Sequence, residues 1–168
     1  SLHVALSAFA LVSMTQYFFG VQGDFSVAFF AFFGTVVGYN FVKYDAIARL
    51  NKTEIKNELK AIVFLSFISL LACFYFFLQL SWMSKVSAFA FFGLTLLYTL
   101  PFFPNKQNAR NWKGVKIYIV GITWVGVTVI LPLVEAEIPF SMDVLLMALQ
   151  RFLLVFSIVL VFDIVDVK

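Results

Sequence analysis

Six long apolar runs limit what this chain can fold into. Each has about the 20 residues that a helix needs to cross a bilayer, and they cover residues 2–19, 25–44, 60–80, 85–103, 115–134 and 143–162. Backbone N–H and C=O groups find no water in lipid, so only helices or closed barrels satisfy them. The runs lack the alternation of barrel strands. The sequence therefore predicts an all-α polytopic membrane protein with one transmembrane helical domain over residues 1–168.

Composition supports this prediction. Hydrophobic residues make up 62% of the chain and charged residues 12%, whereas soluble domains carry about 25% charged residues. The net charge of +3 is spread over the loops, so we expect a lipid bilayer and no nucleic acid as partner. Because the chain opens inside an apolar run and stops just after an acidic pair, we also expect it to be a fragment of a longer protein.

The distribution of basic residues predicts an orientation. The connections after the second and fourth runs are rich in Lys and Arg, whereas the other connections carry mainly Asp and Glu. By the positive-inside rule, the two basic connections are cytoplasmic. The cytoplasmic basic residues are Lys43, Arg49, Lys52, Lys56, Lys60, Lys106, Arg110, Lys113 and Lys116.

A polar cluster closes the second run. At 100° per residue, Lys43 and Tyr44 lie within about 60° of Asn40, so the three share one helix face. Lysines at helix ends commonly anchor to lipid headgroups and do nothing else. Asn40 is harder to explain in that way, because amides are costly in lipid. The same run contains a GxxxG pattern, Gly34 and Gly38, which predicts close helix packing.

Two further polar clusters lie at the same predicted membrane face. The loop after the fourth run carries Lys106 and Arg110. Just past the sixth run, Asp163 and Asp166 are three residues apart, which on a helix places their Cβ atoms about 5–6 Å from each other. Two such carboxylates can hold Mg²⁺ together with substrate phosphates, although an Asp pair at a helix end is also an ordinary solvated boundary. Together the clusters suit a diphosphate with a hydrocarbon tail, but composition alone does not distinguish this from a transporter.

Arg151 is the one charged residue deep inside a run. By helical rise it lies about 12 Å into the sixth span. It can extend to the outer surface, or it can stabilise the bundle through backbone carbonyls or Gln150. We favour the second alternative, in which Arg151 stabilises the bundle.

With these motifs the chain resembles the UbiA superfamily of intramembrane prenyltransferases, whose members are all-helical, typically with nine spans. Their two Asp-rich motifs lie at the cytoplasmic ends of helices two and six. The first, approximately N-D-x-x-D-x-x-x-D, is matched by Asn40, but its Asp positions read Phe41, Tyr44 and Ala48. Asp45 lies beyond the arc of about 100° that the family positions occupy.

The second motif begins D-x-x-D, as in Asp163-Ile-Val-Asp166. The stretch "LYTLPFFPNKQNARNWKGVK", with Tyr98, Lys106 and Arg110, resembles the basic loop after helix four of the family. The resemblance covers the chain as the first two-thirds of a family member, so six helices of an expected nine are visible. It is closest to UbiA-like membrane proteins of flavobacteria, which implies the inner or plasma membrane of a bacterium.

The resemblance implies a function. Such a protein transfers an isoprenyl group from a prenyl diphosphate to a hydrophobic acceptor. The resemblance also implies that Asp163 and Asp166 bind Mg²⁺. The other implied site residues are catalytic Asn40, Lys43 and Tyr44 and substrate-binding Tyr98, Lys106 and Arg110.

Three other functions are alternatives to this one. A non-catalytic UbiA-like lipid-binding or carrier protein that lost the first Asp-rich motif stays open. A CDP-alcohol phosphatidyltransferase, suggested by "DAIAR", is rejected because no further Asp follows Arg49 before Glu54. A retinal protein is disfavoured because no lysine is central in a run.

Overall fold

The computed structural model describes the backbone of residues 1–21, 25–50, 57–99 and 115–166. Within these, the side chains of 42–50, 57–59, 97–99, 116 and 162–166 lie outside the description. The described residues form α-helices and one π-helical turn, without a strand among them, which confirms the all-α class for this part of the chain. The elements are α1 Leu2–Phe18, α2 Ser26–Leu50, α3 Asn57–Gln79, α4 Trp82–Thr99, α5 Val115–Val125, the π-helical turn Gly126–Ile130, α6 Leu131–Glu135 and α7 Met142–Asp166.

Three helical segments are long and apolar enough to cross a membrane. They are Lys60–Gln79, Ile117–Glu135 and Met142–Val161. Three further apolar helices, Leu2–Phe18, Ser26–Phe41 and Trp82–Leu96, are shorter in the part of the chain that the structure describes. Length and composition therefore indicate a membrane-associated protein, and the count of six spans stays a prediction.

The helices extend beyond the apolar runs at several ends. Helix α2 continues to Leu50, six residues past the predicted end at residue 44, and α7 continues to Asp166 rather than ending at 162. Helix α3 begins at Asn57, three residues before the predicted third run at residue 60. Ala, Leu and Arg are good helix formers, so the segment "DAIARL" continues α2 although it is no longer uniformly apolar.

The first compact unit, Ser1–Leu80, is built on the central helix α2. Helix α1 packs on one side of α2, and α3 packs on another. Small residues line the buried contacts, which allows the helix backbones to approach closely; they include Ala5, Ala8, Val12, Val27, Ala28, Ala31 and Val36. Aromatic rings join α2 to α3, with the Phe76 ring stacked on Phe29 and Phe33 at centroid distances of 5.2 and 6.0 Å.

The GxxxG pattern of α2 makes one close contact rather than two. A Cβ added at Gly34 would lie 3.5 Å from the Sγ of Cys73 on α3, which is an ordinary van der Waals distance. A Cβ added at Gly38 would meet no described atom within 4 Å. The structure thus shows a neighbour at Gly34, and at Gly38 the predicted close packing has no counterpart among the described residues.

The second compact unit, Ser81–Lys168, is built on a long helix that contains a π-helical turn. Helix α5, the π-helical turn and α6 follow one another without a break, and this composite helix contacts both α4 and α7. At the turn, the N–H of Leu131 bonds to the carbonyl oxygen of Gly126, five residues earlier. Pro132 comes next, and it has no N–H to donate. The helix is thus widened immediately before the residue that interrupts its hydrogen-bond ladder.

Two glycines of this composite helix allow aromatic rings to lie against its backbone. A Cβ at Gly126 would lie 2.2 Å from the ring of Phe91 on α4, and a Cβ at Gly121 would lie 2.7 Å from the ring of Phe152 on α7. Both distances are shorter than packed carbon atoms tolerate. The packing of α4 and α7 on this helix therefore depends on glycine at both positions.

We expect Gly126→Ala to lower the free energy of unfolding by about 1–3 kcal/mol, because Phe91 must leave its position. Gly93→Ala on α4 is the matched control, since a Cβ there meets nothing within 4 Å, and it should be neutral or stabilise by up to about 1 kcal/mol. Thermal unfolding in detergent micelles measures both. Adding Phe91→Leu to Gly126→Ala should restore part of the loss, and equal melting temperatures for the two alanine variants would contradict the expectation.

The start of α4 is capped from the end of α6. Both carboxylate oxygens of Glu135 accept the N–H of Ser81, at 3.1 and 3.0 Å. The Oγ of Ser81 in turn accepts the N–H of Ser84 at 3.3 Å. A carboxylate at a helix N-terminus is favoured by the helix dipole. These bonds hold the loop end of α6 against the beginning of α4.

Loss of this cap should be measurable. We expect Glu135→Ala to destabilise the protein by about 0.5–2 kcal/mol, the range for loss of an N-terminal cap. The exposed Glu137, two residues later, provides the control Glu137→Ala, which should leave the melting temperature in detergent unchanged. A similar loss in both variants would show that Glu135 acts only through general surface charge.

Candidate functional site

Asn40 lies inside α2 and not at its end. The helix continues for ten residues beyond it, to Leu50, which is about 15 Å by helical rise. The side chain is buried, with 5% of its surface exposed. The polar cluster therefore does not mark the end of the helix, which continues past the predicted end of the apolar run at residue 44.

The Asn40 amide is held by a hydrogen-bond relay to α3. Its Nδ2 donates to the Oγ of Ser66 at 2.8 Å, and this Oγ donates to the carbonyl oxygen of Ile62 at 2.8 Å. A serine hydroxyl has one proton. Since that proton goes to Ile62, Ser66 can only accept from Asn40, and an amide carbonyl cannot donate. The relay itself thus assigns the NH₂ end of Asn40 to Ser66.

This relay gives Asn40 a structural role that the sequence does not reveal. A hydrogen bond between helices satisfies an amide that would otherwise be costly in apolar surroundings. It also ties α2 to α3 close to the point where the polar cluster begins. Such interhelical bonds contribute on average about 0.6 kcal/mol in membrane proteins.

The other predicted residues of the first cluster and of the basic loop are described only in part. Lys43 and Tyr44 belong to α2, so the backbone places them on the helix face of Asn40, while their side chains lie outside the description. Tyr98 belongs to α4 with the same restriction. Lys106 and Arg110 lie outside the described residues.

Asp163 and Asp166 both belong to the last turn of α7. Their i, i+3 spacing on a continuous helix places the Cβ atoms about 5–6 Å apart, on one face. Two carboxylates are the oxygen donors that Mg²⁺ takes from proteins, with waters or substrate phosphates completing its shell. The side chains of Asp163 and Asp166 lie outside the description, so Mg²⁺ at this pair stays a prediction. The side chains that the structure describes contain no group of three or more His, Cys, Asp or Glu able to hold a metal.

Arg151 is packed inside the second unit. Only 1% of its surface is exposed, so it does not reach the outer surface. Its Nη2 points back along α7 to the Sδ of Met147, at 3.9 Å. The side chain of Gln150, which the sequence suggests as a partner of Arg151, is exposed. This burial favours a structural role for Arg151 over the alternative in which its side chain extends to the lipid headgroups.

The second unit also contains an apolar pocket of about 270 Å³. It lies between α4, the composite helix and α7, and its walls include Phe91, Ile122, Leu149 and Phe152. All residues lining it are apolar or glycine. Asp163 follows Phe152 by 11 residues, about 16 Å along the helix. The pocket is therefore well separated from the carboxylate pair.

The sequence does not single out Ser66 or the pocket. A signal for Ser66 does exist, because it interrupts the apolar run "VFLSFISLL". Serine is common in helices, however, where it bonds to the carbonyl four residues back. The pocket depends on Gly126 and on rings from two other helices, so no local pattern marks it.

Comparisons of the chain with protein-family models, with curated proteins and with solved structures find no match. The resemblance to the UbiA superfamily stays a prediction that depends on Asn40 and on the pair Asp163 and Asp166.

A double-mutant cycle on Asn40→Ala and Ser66→Ala measures the relay. We expect each single variant to lower the melting temperature in detergent, and a coupling free energy of about 0.6 kcal/mol, with an upper limit near 1.7 kcal/mol. Ser7→Ala is the control, because the Ser7 hydroxyl is exposed and bonds only within its own helix, to the carbonyl of His3. Additive effects of the two substitutions would show that the amide and the hydroxyl do not interact.

Proposed function

We propose that this chain belongs to a polytopic membrane prenyltransferase of the UbiA type. The described helices overlap the six apolar runs when the composite helix is counted as one, and three segments are long enough to span a bilayer. The basic connections favour a cytoplasmic position for the polar ends of α2, α4 and α7. The reaction is transfer of an isoprenyl group from a prenyl diphosphate to a lipophilic acceptor.

The observation that carries this proposal is the carboxylate pair at the end of α7. Two negative charges at i, i+3 repel each other. Asp163 and Asp166 have this spacing, and the last described turn of α7 contains no basic residue. A bound divalent cation would relieve the repulsion, and this supports cation binding at the pair.

The chain's own residues then have distinct tasks. Asp163 and Asp166 would hold Mg²⁺, which when bound would supply positive charge next to the diphosphate. Lys43, Lys106 and Arg110 donate hydrogen bonds to the oxygens of the diphosphate. As the allylic C–O bond breaks, its electron pair leaves with the diphosphate, and the prenyl carbon bonds to the acceptor, which loses a proton.

The apolar walls of the bundle suit the rest of such a substrate. Pockets for hydrophobic ligands are lined mainly by aliphatic and aromatic side chains. The pocket beside Phe91 and Phe152 has this character, and it lies within two of the segments that are long enough to span a membrane. It supports a hydrocarbon ligand without indicating its length.

A non-catalytic UbiA-like lipid-binding or carrier protein is the second candidate. The observation that favours it is the relay of Asn40, since an interhelical hydrogen bond explains this amide without chemistry. The first motif has also lost its carboxylates, with Phe41, Tyr44 and Ala48 at their positions. Such a protein would bind the lipid and leave it unchanged.

The full-length protein in lipid nanodiscs, with farnesyl or geranylgeranyl diphosphate and Mg²⁺, tests the proposal. Asp163→Asn and Asp166→Asn should each lower kcat by roughly 100-fold or more, the scale for removing one charge-stabilising group. Asp143→Asn is the matched control, because Asp143 is exposed in the first turn of the same helix. Turnover is followed by release of diphosphate in the presence of a membrane extract as source of acceptor.

The same preparation separates the two candidates. Prenyl diphosphate binding that EDTA leaves unchanged, without turnover, would indicate the carrier. Absence of both binding and turnover in the wild-type protein would contradict both functions.

A further inference from the structure

Large apolar side chains are exposed at one end of the second unit. Phe140 lies in the connection from α6 to α7, Met142 opens α7, and Trp82 and Met83 open α4. These four residues, the end patch, expose between 68% and 76% of their surface. The hydrogen bonds from the end of α6 to the start of α4 keep them at the same end of the unit. Apolar residues exposed together indicate a surface that meets a partner or a membrane.

The backbone of the connection is hydrogen-bonded internally. The N–H groups of residues 136–138 donate to carbonyl oxygens of α6 at 2.9–3.1 Å, a pattern that closes many helix C-termini. Glu137 takes the left-handed position of this motif, with a φ of 54°, although glycine is the usual residue there. Pro139 has no N–H. Residues 136–139 therefore need no water for their N–H groups.

The connection joins two segments that have the length of a membrane span. Ile117–Glu135 ends where the connection begins, and Met142–Val161 begins where it ends. When both segments cross a bilayer, residues 136–141 between them lie at one membrane surface. Water is scarce where headgroups meet acyl chains, so a backbone that satisfies its own N–H groups is favoured there. Trp prefers the same region, because its ring is apolar and its N–H is polar.

Charged neighbours limit how deeply the end patch can enter a bilayer. Glu137 and Asp143 are both exposed, and each lies three residues from Phe140. Carboxylates are costly in hydrocarbon, so both stay in water or among the headgroups. The connection can therefore enter the region between headgroups and acyl chains, but not the acyl core.

We propose that the end patch is immersed in the boundary between the headgroups and the acyl chains of one leaflet. Phe140 and Trp82 enter this boundary by about 5–10 Å, the depth of apolar faces in interfacial helices, and Glu137 stays in water. The surface thus binds lipid and not a protein partner. By the positive-inside rule the leaflet is the outer one. This inference rests on the spanning helices of the proposed function and not on its reaction.

Spin labels test the proposed depth in the full-length protein, in nanodiscs of phosphatidylcholine. Cys73→Ser removes the single cysteine of this chain, and Phe140→Cys and the matched control Glu137→Cys introduce the labelling sites. Collisions with oxygen, which concentrates among acyl chains, and with a nickel chelate, which stays in water, give the depth of each label. We expect the Phe140→Cys label about 5–10 Å into the boundary and the Glu137→Cys label in water.

A third label separates failure of this inference from failure of the proposed function. Leu153 is exposed near the middle of Met142–Val161, so a label at Leu153→Cys should collide mainly with oxygen. If it does, equal access of nickel to the Phe140→Cys and Glu137→Cys labels would overturn this inference alone. Nickel access at Leu153→Cys would show that the segment does not span, which would remove the proposed function as well. Exclusion of both reagents from Phe140→Cys would indicate a protein partner and also overturn the inference.

The fluorescence of Trp82 reports on the patch with Phe140 in place. Trp112→Phe and Trp124→Phe leave Trp82 as the single tryptophan of the chain. In phosphatidylcholine vesicles, lipid brominated near the headgroup should quench Trp82 more than lipid brominated at the chain end. Aqueous acrylamide should quench it less than it quenches free tryptophan. Equal quenching of Trp82 and free tryptophan by acrylamide would place Trp82 in water and overturn the inference.

Discussion

Polar groups in apolar surroundings need partners, and the described structure is arranged around this requirement. The helices satisfy their own backbone, and several hydroxyls, such as those of Ser7 and Thr128, donate to carbonyls four residues back. Longer-range hydrogen bonds also join helices within each unit. In the first unit the Asn40 amide bonds to Ser66, and in the second Glu135 bonds to the N–H of Ser81. Each of these bonds lies between helices that also pack on each other.

The positions of the helices were predictable, and their ends were not. An apolar run shows where a chain tolerates lipid, whereas a helix ends where propensity and capping stop it. Leu50 and Asp166 are therefore helical although the runs stop earlier. The π-helical turn before Pro132 and the contacts of Gly126 depend on rings from other helices. Gly34 and Gly38 also show what a sequence pattern does not predict. Both belong to one GxxxG pattern, but a Cβ would meet a described atom within 4 Å only at Gly34.

The candidate site was predictable in part. An amide inside an apolar run attracts notice because of its desolvation cost, so Asn40 could be found from the sequence. Its partner Ser66 is 26 residues away and lies on another helix. A serine at such a position is equally consistent with a simple bond to its own helix, and Ser66 indeed makes one with Ile62. Only the packing of α2 on α3 shows that its lone pairs also accept from the amide.

The amide of Asn40 has a partner whatever the protein does, and this limits what Asn40 says about function. Its NH₂ group bonds to Ser66 and joins α2 to α3 in a catalytic protein and in a carrier alike. Its presence therefore does not separate the two candidates. The enzymatic proposal depends instead on Asp163 and Asp166, because two like charges at i, i+3 disfavour each other and a bound cation would favour them.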